Sequence, residues 1–456
     1  MTTQAEKDFL DKVRPIAETL IDYAASAGKA YGITDAKVSI VVNEKLKDGV
    51  DKGAVTEIVA GTQQAVTITL YAGHRSMTFQ KNTLDIQKLR EAMEENMQVI
   101  HLVPENENNL LLEKEKVAKQ PDSGKLELYE EKQPGQREMI DYARKFEEAA
   151  LAVPGVKTAD RISVSKAAKQ FYSLATNGLS LHVARTTYTA SGEVIAESAN
   201  GMEADGDYSQ ANYFSDMTNP AELGRRAAEN TVSKLDSIVP QTGEMPIVLN
   251  QDAAEAFFRD TVLQAIDGSA VFNGSTFLKG KEGQQVMSKG ITLVDDPLIV
   301  RGLSSGTLDS AGLEMKPVTF IEDGILKKFN ASVREARQIG VEPVGREDGP
   351  TNGIVLPGTQ SPEKLIADIK QGIYIKGFNG GTVNTTNGTH SREAYGLLIK
   401  DGKITNTAVS GFVISGNLKK MFMSVTLAND TPKQPNTKHR IVVPTMRIDG
   451  CMVAGQ

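Results

Sequence analysis

Within its first hundred residues the chain changes hydrophobic period from helical to extended and back, which narrows the fold more than any other feature. Phe9, Val13, Ile16, Leu20 and Ala24 recur at three- and four-residue steps, the spacing of one face of an amphipathic helix, so a helix is predicted over 5–28. From residue 35 the period drops to two. Val38, Ile40 and Val42 alternate with polar residues, as do Val66, Ile68 and Leu70, and GVDKG (49–53) supplies a turn between antiparallel strands. Helical spacing returns with Ile86, Leu89, Met93, Met97 and Ile100. A chain that must bury both kinds of face is α+β.

A connecting segment rich in Pro, Gly and charge follows at 103–135. A second unit comes next, with a helix near 135–152, strands from Arg161 onward, a hairpin turn at Asn177–Gly178 and a helix over 220–235. From about residue 243 the texture becomes β-rich. One helix over 251–267 precedes short extended segments separated by Gly, Asn and Asp, and SPEKLIADIK (361–370) reads as a further helix. The expected organisation is an N-terminal α/β domain with its linker (1–122), a central domain (123–240) and a β-rich C-terminal domain (241–456).

The bulk properties remove several functions. The net charge is −7 with cations scattered among acids, so no basic face is offered and nucleic acid is not an expected partner. No run of about 18 apolar residues exists, so no membrane span is expected. MTTQAEKDFL lacks the basic-then-apolar order of a signal peptide, and the single Cys451 excludes an intrachain disulfide framework; a cytoplasmic location is expected.

Catalytic motifs fail one by one. None of His74, His101, His182, His390 and His439 pairs with another at helical ligand spacing, and a site built from His390, His439 and Cys451 is open to folding but favoured by nothing in the sequence. GLSSG (302–306) matches a nucleophile elbow in letters only, because TLDSAGLE after it is a loop and not a helix; Ser304 reads as a loop serine. GSTFLKGKE (274–282) has the wrong spacing for a phosphate loop, and Glu282 stands where a magnesium-binding hydroxyl belongs.

Six blocks in order carry a resemblance: VDDPLIV (294–300), PTNGIVLPGT (350–359), GIYIKGF (372–378), AYGLLIKDGKI (394–404), VSGFVISGNL (409–418) and MRIDGCMVAGQ (446–456). With SLATNGLSLHVARTTYTAS (173–191) and LGRRAAENTVSKL (223–235), they resemble the TldD/PmbA family, historically called modulators of DNA gyrase. The resemblance implies a cytosolic zinc peptidase system of two related chains that together enclose a chamber for unfolded peptides. In the TldD-like chain a helix carries H-E-x-x-x-H, and a later cysteine is a further ligand. The PmbA-like (TldE-like) chain lacks them.

Counting back from GSTFLKGKEG (274–283) places Arg259 at the first histidine, Asp260 at the glutamate and Gln264 at the second histidine. Arginine has only donors and keeps its charge, so it cannot ligate a cation, and glutamine is a poor zinc ligand. NDTPKQPNTKHR (429–440) has no cysteine. No metal and no cofactor are therefore expected in this chain, zinc being expected in a TldD-like partner. Read without the family, the helix is an ordinary amphipathic one, with Ala254, Phe258, Val262 and Ala265 as its apolar face and Glu255–Arg259 as an i,i+4 pair.

For peptide binding, the resemblance points to backbone pairing along a strand edge. Gly377, Phe378, Gly380 and Gly381 in 372–384, with His390, Ser391 and Arg392, are the candidate residues. The expected role is a non-catalytic PmbA-like subunit paired with a TldD-like chain or with itself. Two alternatives stay open: a homodimeric peptide-binding scaffold with no peptidase attached, and a hydrolase with an unconventional site.

Overall fold

The computed structural model describes residues 3–455 and is mixed α+β. The predicted first helix is α1 (Gln4–Ser26), started by a capping box in which the Thr3 hydroxyl accepts from Glu6 N and Glu6 accepts from Thr3 N at 2.6 Å. Next come β1 (Asp35–Asp51), β2 (Ala54–Ala72), β3 (Arg75–Lys81) and α2 (Ile86–Val99), then α3 (Gln136–Leu151), β4 (Val156–Ala175), β5 (Ser180–Ser198), β6 (Gly201–Ala211) and α4 (Pro220–Val232). The strands form one antiparallel sheet in the order β3-β2-β1-β4-β5-β6. Because β4 pairs with β1 (Lys37↔Ala175 through Val50↔Ile162), strands from before and after residue 122 share this sheet.

Strand length explains how one sheet serves two cores. β1, β2, β4 and β5 run 17 to 20 residues. One half buries Val38, Ile40, Val66, Ile68 and Leu70 under α1 and α2; the other buries Val50, Ile162, Val164 and Tyr188 under α3 and α4. The β1–β2 turn reaches far enough for the buried Glu147 of α3 to accept the N–H groups of Lys52 (2.6 Å) and Gly53 (2.7 Å). At Asn177–Gly178 the predicted hairpin exists as a longer loop with only Gly178 at positive φ, and the Asn177 amide is used to donate to the Leu112 carbonyl at 2.9 Å.

After β7 (Gly243–Leu249), α5 (Gln251–Phe257) runs without interruption into a wide π turn (Phe258–Leu263). Short elements follow: α6 (Gly268–Phe272), β8 (Leu293–Asp295), β9 (Val318–Glu322), β10 (Ile325–Leu326), α7 (Val333–Ile339), β11 (Gly353–Val355) and α8 (Pro362–Ile366). The chain ends with β12 (Gln371–Asn384), β13 (Thr389–Lys400), β14 (Lys403–Asn417), α9 (Leu418–Phe422), β15 (Val425–Leu427), β16 (Ile441–Val442) and β17 (Met446–Ala454). The helix expected over 361–370 stops at Ile366, and that over 220–235 at Val232. Sheet order is β14-β13-β12-β7-β17-β15, and β14 also pairs with β17, so five strands close on themselves. Their inward residues, including Ile247, Ile373, Phe412 and Ile448, share one core with Ala254, Phe257, Phe258 and Val262 of the α5 segment. Among the described residues no helix is long and apolar enough to cross a membrane.

Candidate functional site

The β7–α5 junction positions the site. Asn250 caps α5 by accepting from Ala253 N at 2.8 Å, and its own N–H pairs with the Ile375 carbonyl of β12, fixing helix to sheet. The apolar positions Ala254, Phe258, Val262 and Ala265 are all buried, so the opposite side is left for polar groups. On an ideal α-helix, residues five apart differ by roughly 140° in direction. The π turn widens the ring to i→i+5, which brings such residues onto one side. Arg259 and Gln264 are both exposed, so the helix keeps a geometry suited to an i,i+5 pair although neither residue is a good ligand.

A chain of alternating charges covers this helix. Arg259 Nη1 donates to both Glu255 oxygens at 3.0 and 2.7 Å, and its Nε donates to Asp260 at 3.0 Å. Arg392 of β13 donates to the other Asp260 oxygen at 2.7 Å, and its guanidinium lies 4.6 Å from the Phe378 ring centre. From the other side comes the loop before β16. Lys438 bridges Asp252 (2.7 Å) of α5 and the buried Asp207 (3.0 Å) of β6, and Arg226 of α4 also holds Asp207 at 2.5 Å. His439 stands between two carboxylates, with Nε2 3.0 Å from Asp252 and Nδ1 3.6 Å from Glu255.

Burial lifts the Glu255 carboxyl above its ordinary range in spite of His439 and Arg259. Burial also works against the charge on Asp252, but the His439 hydrogen bond and Lys438 outweigh it and hold that carboxyl below the usual range. Desolvation works against Lys438 too, and Asp252 and Asp207 raise its pKa regardless.

These contacts test whether the residues fit a zinc ion, and they do not. Arg259 is fixed to two carboxylates, and both Asp260 oxygens face guanidinium groups. The two carboxylates around His439 lie on opposite ring nitrogens and so do not converge with it on one point. Among the described residues no three His, Cys, Asp or Glu are grouped to hold a metal. His390, His439 and Cys451, the grouping left open by the sequence, have separate surroundings. His390 is buried between Phe257 and Phe378, and Cys451 is buried in β17 opposite Met245, its thiol pushed up to about 12 by burial.

The candidate peptide-binding residues divide. Residues 373–375 of β12 lie between β13 and β7, whereas Lys376–Asn384 pair with β13 alone, leaving the second edge open over exposed Asn379–Thr382. Bulges after Ile375 and Phe378 bend this stretch. Gly377 and Gly381 are required by space: a Cβ would come 2.6 Å from the Tyr395 hydroxyl and 2.3 Å from the Ser391 carbonyl respectively, while Gly380 faces open space. Phe378, His390 and Arg392 come together beside α5. Ser391 alternates to the opposite face of β13. His390 Nδ1 is 3.2 Å from the Ile414 carbonyl and its Nε2 is buried without a partner; burial lowers its pKa to about 4.

Sequence reasoning did not reach Asp207, Asp252 and Lys438. The one sequence signal is indirect: 429–440, which lacks the cysteine the resemblance implies, lies across α5 through Lys438 and Asp252.

Known proteins resemble this chain in sequence and in fold. A model of the PmbA/TldA metallopeptidase C-terminal domain matches residues 242–455, and one of the central domain of the same metallopeptidases matches 129–235. Metalloprotease PmbA of Escherichia coli O157:H7 is 26% identical over 448 residues, covering 96% of this chain and 97% of its own. A protein proposed to modulate DNA gyrase, from Bacteroides thetaiotaomicron, has the same fold at TM-score 0.87 and 22% identity, with 100% of both chains covered. TldE from Thermococcus kodakarensis matches at TM-score 0.79 and 18% identity, covering 96% of this chain and 100% of its own.

Proposed function

The chain belongs to the PmbA/TldD metallopeptidase family, and from that premise we propose that it is a PmbA/TldE-like, non-catalytic subunit of a cytoplasmic peptidase. One observation carries the reading. Arg259, which the family resemblance sets at the first metal-binding histidine, is held by Glu255 and Asp260 and has only donors to offer. Peptide-bond hydrolysis by zinc-activated water would then belong to a TldD-like partner.

The part left to this chain is to receive unfolded peptide. The open edge of β12 offers backbone N–H and C=O groups to any extended segment, with little regard to side chains. Arg392 and Phe378 would flank the bound strand at its α5 end. The charge chain through Lys438 ties α5 to β6, so the edge would be presented on a rigid frame.

Affinity capture of the tagged chain from its own cells tests this. Recovery of a relative with intact H-E-x-x-x-H, and peptide cleavage by the pair but not by this chain alone, is the expected result. A homodimer that ignores such a relative would replace the reading with the scaffold alternative. Cleavage by the isolated chain would replace it with an unconventional hydrolase.

A further inference from the structure

Away from α5, the polar face of the first sheet forms one wall of a cleft of about 330 Å3. Period-two alternation makes that wall. Val38, Ile40, Val66, Ile68 and Leu70 turn toward the helices, so Lys37, Ser39, Thr67 and Thr69 turn into the cleft. The opposite wall includes Ser310 and Glu347 of the C-terminal half. The hydroxyls largely pair across strands, Ser39 with Ser173 and Thr69 with Thr78, each at 2.9 Å.

Three charged groups on these walls make no ion pair among the described residues: Lys37, Glu347 and, at the exposed rim, Arg334, a second cation on the side of a ligand carboxylate. Lys37 Nζ donates to the Ser310 carbonyl at 2.5 Å and makes no ion pair among the described residues. Glu347 accepts the Val333 N–H at 2.8 Å on one oxygen and likewise has no ion-pair partner among the described residues. The neighbouring acids are already satisfied. Asp309 accepts N–H groups from Ala311, Gly312, Leu313 and Glu347, and Asp348 accepts from the Ser310 backbone and hydroxyl. Burial lowers the pKa of Lys37 and raises that of Glu347, and the charge of each only partly offsets the desolvation of the other.

An amine and a carboxylate on facing walls, unpaired with each other, complement a molecule carrying both charges. The volume lies at the small end of ligand pockets, roughly 300–1,000 Å3. We infer that this cleft binds a small zwitterion, a free amino acid or a dipeptide, with Lys37 holding its carboxylate and Glu347 its ammonium. The hydroxyl wall would receive the remaining polar groups. Nothing in this inference depends on a catalytic partner or on the subunit role.

Calorimetric titration of the intact chain tests it with L-alanine and L-alanyl-L-alanine, each beside its N-acetylated and C-amidated form. At least one zwitterion should bind, about tenfold or more tighter than either blocked form, a difference of about 1.4 kcal/mol. Which of the two binds better separates amino acid from dipeptide. Lys37→Met should abolish the preference for a free carboxylate, and Glu347→Gln the preference for a free amine. The inference is overturned if neither zwitterion binds at millimolar concentration, or if blocked and free forms bind alike. The wild-type comparison decides even where a variant fails to fold.

Discussion

Replacing Arg259 with methionine should remove the guanidinium partner of Glu255 while keeping most of the hydrophobic stem. The Glu255 side chain is only 5% exposed and that of Arg259 is 51% exposed. Stranding one member of a fully buried pair costs about 3–5 kcal/mol, whereas surface pairs contribute about 0–1 kcal/mol. With one partner half in water, a loss of about 1–2 kcal/mol is expected. At about 2–4 °C per kcal/mol for a domain near 200 residues, the melting transition should fall by roughly 2–8 °C. The loss should also depend on pH. Burial already raises the folded pKa of Glu255 above its unfolded value, so its folded form holds the proton to higher pH and stability declines as pH rises through that folded pKa. Without Arg259 the folded pKa rises further, so the deficit should be small near pH 5 and larger near pH 8. Thermal melts of the wild type, Arg259→Met and the Glu255→Gln/Arg259→Met double variant across that range check this, the double variant recovering most of the loss at high pH. A deficit that is flat with pH, or a double variant as unstable as the single one, would refute the reasoning.

Lys438→Met should cost about 1–2 kcal/mol at pH 7, because Asp207 and Asp252 both lose a cation that is itself mostly buried. Asp252 is held below its ordinary pKa, so its stabilisation is present above that value and fades as pH falls; acid melts of the variant should show a shallower slope below about pH 4. His390 also loses stability as pH falls, here because its neutral form is the one burial favours. Its pKa is lowered from 6.5 to about 4, so the unfolded chain takes up the proton first and stability drops as pH falls between those values, by up to about 3 kcal/mol. His390→Asn should flatten that portion of a pH–stability profile. On β12, Gly381→Ala forces a Cβ to 2.3 Å from the Ser391 carbonyl at φ +124° and should cost about 1–3 kcal/mol, whereas Gly380→Ala meets nothing and should melt like the wild type.

Where neighbours in sequence are neighbours in space, the chain could be read directly. Phe9, Val13, Ile16 and Leu20 lie on α1 as spaced, and the alternation at Val38–Val42 and Val66–Leu70 gives the inward face of β1 and β2. Glu255 and Arg259 met because four residues bring side chains together on a helix. What escaped is long-range pairing. The β1–β4 ladder joins Lys37 to Ala175, and no local pattern encodes which strand lies beside another once all have the same period. The same holds for Lys438 and Asp252, brought together by closure of the C-terminal strands around α5. Ser391 is adjacent to His390 and Arg392 in sequence, but strand alternation turns it to the other face. The π turn at Phe258–Leu263 has no propensity signature and was visible only as the five-residue spacing that the family resemblance placed on Arg259 and Gln264.

The central claim is that a fixed guanidinium occupies the place of a metal-binding imidazole. The most direct test is zinc content, by mass spectrometry, of the isolated chain after equilibration with excess zinc and removal of loosely held ion, measured together with peptide cleavage. The account predicts far less than one zinc per chain and no cleavage until a TldD-like chain is added. One tightly held zinc per chain, lost together with peptide cleavage on substituting Asp260 or His439, would contradict it.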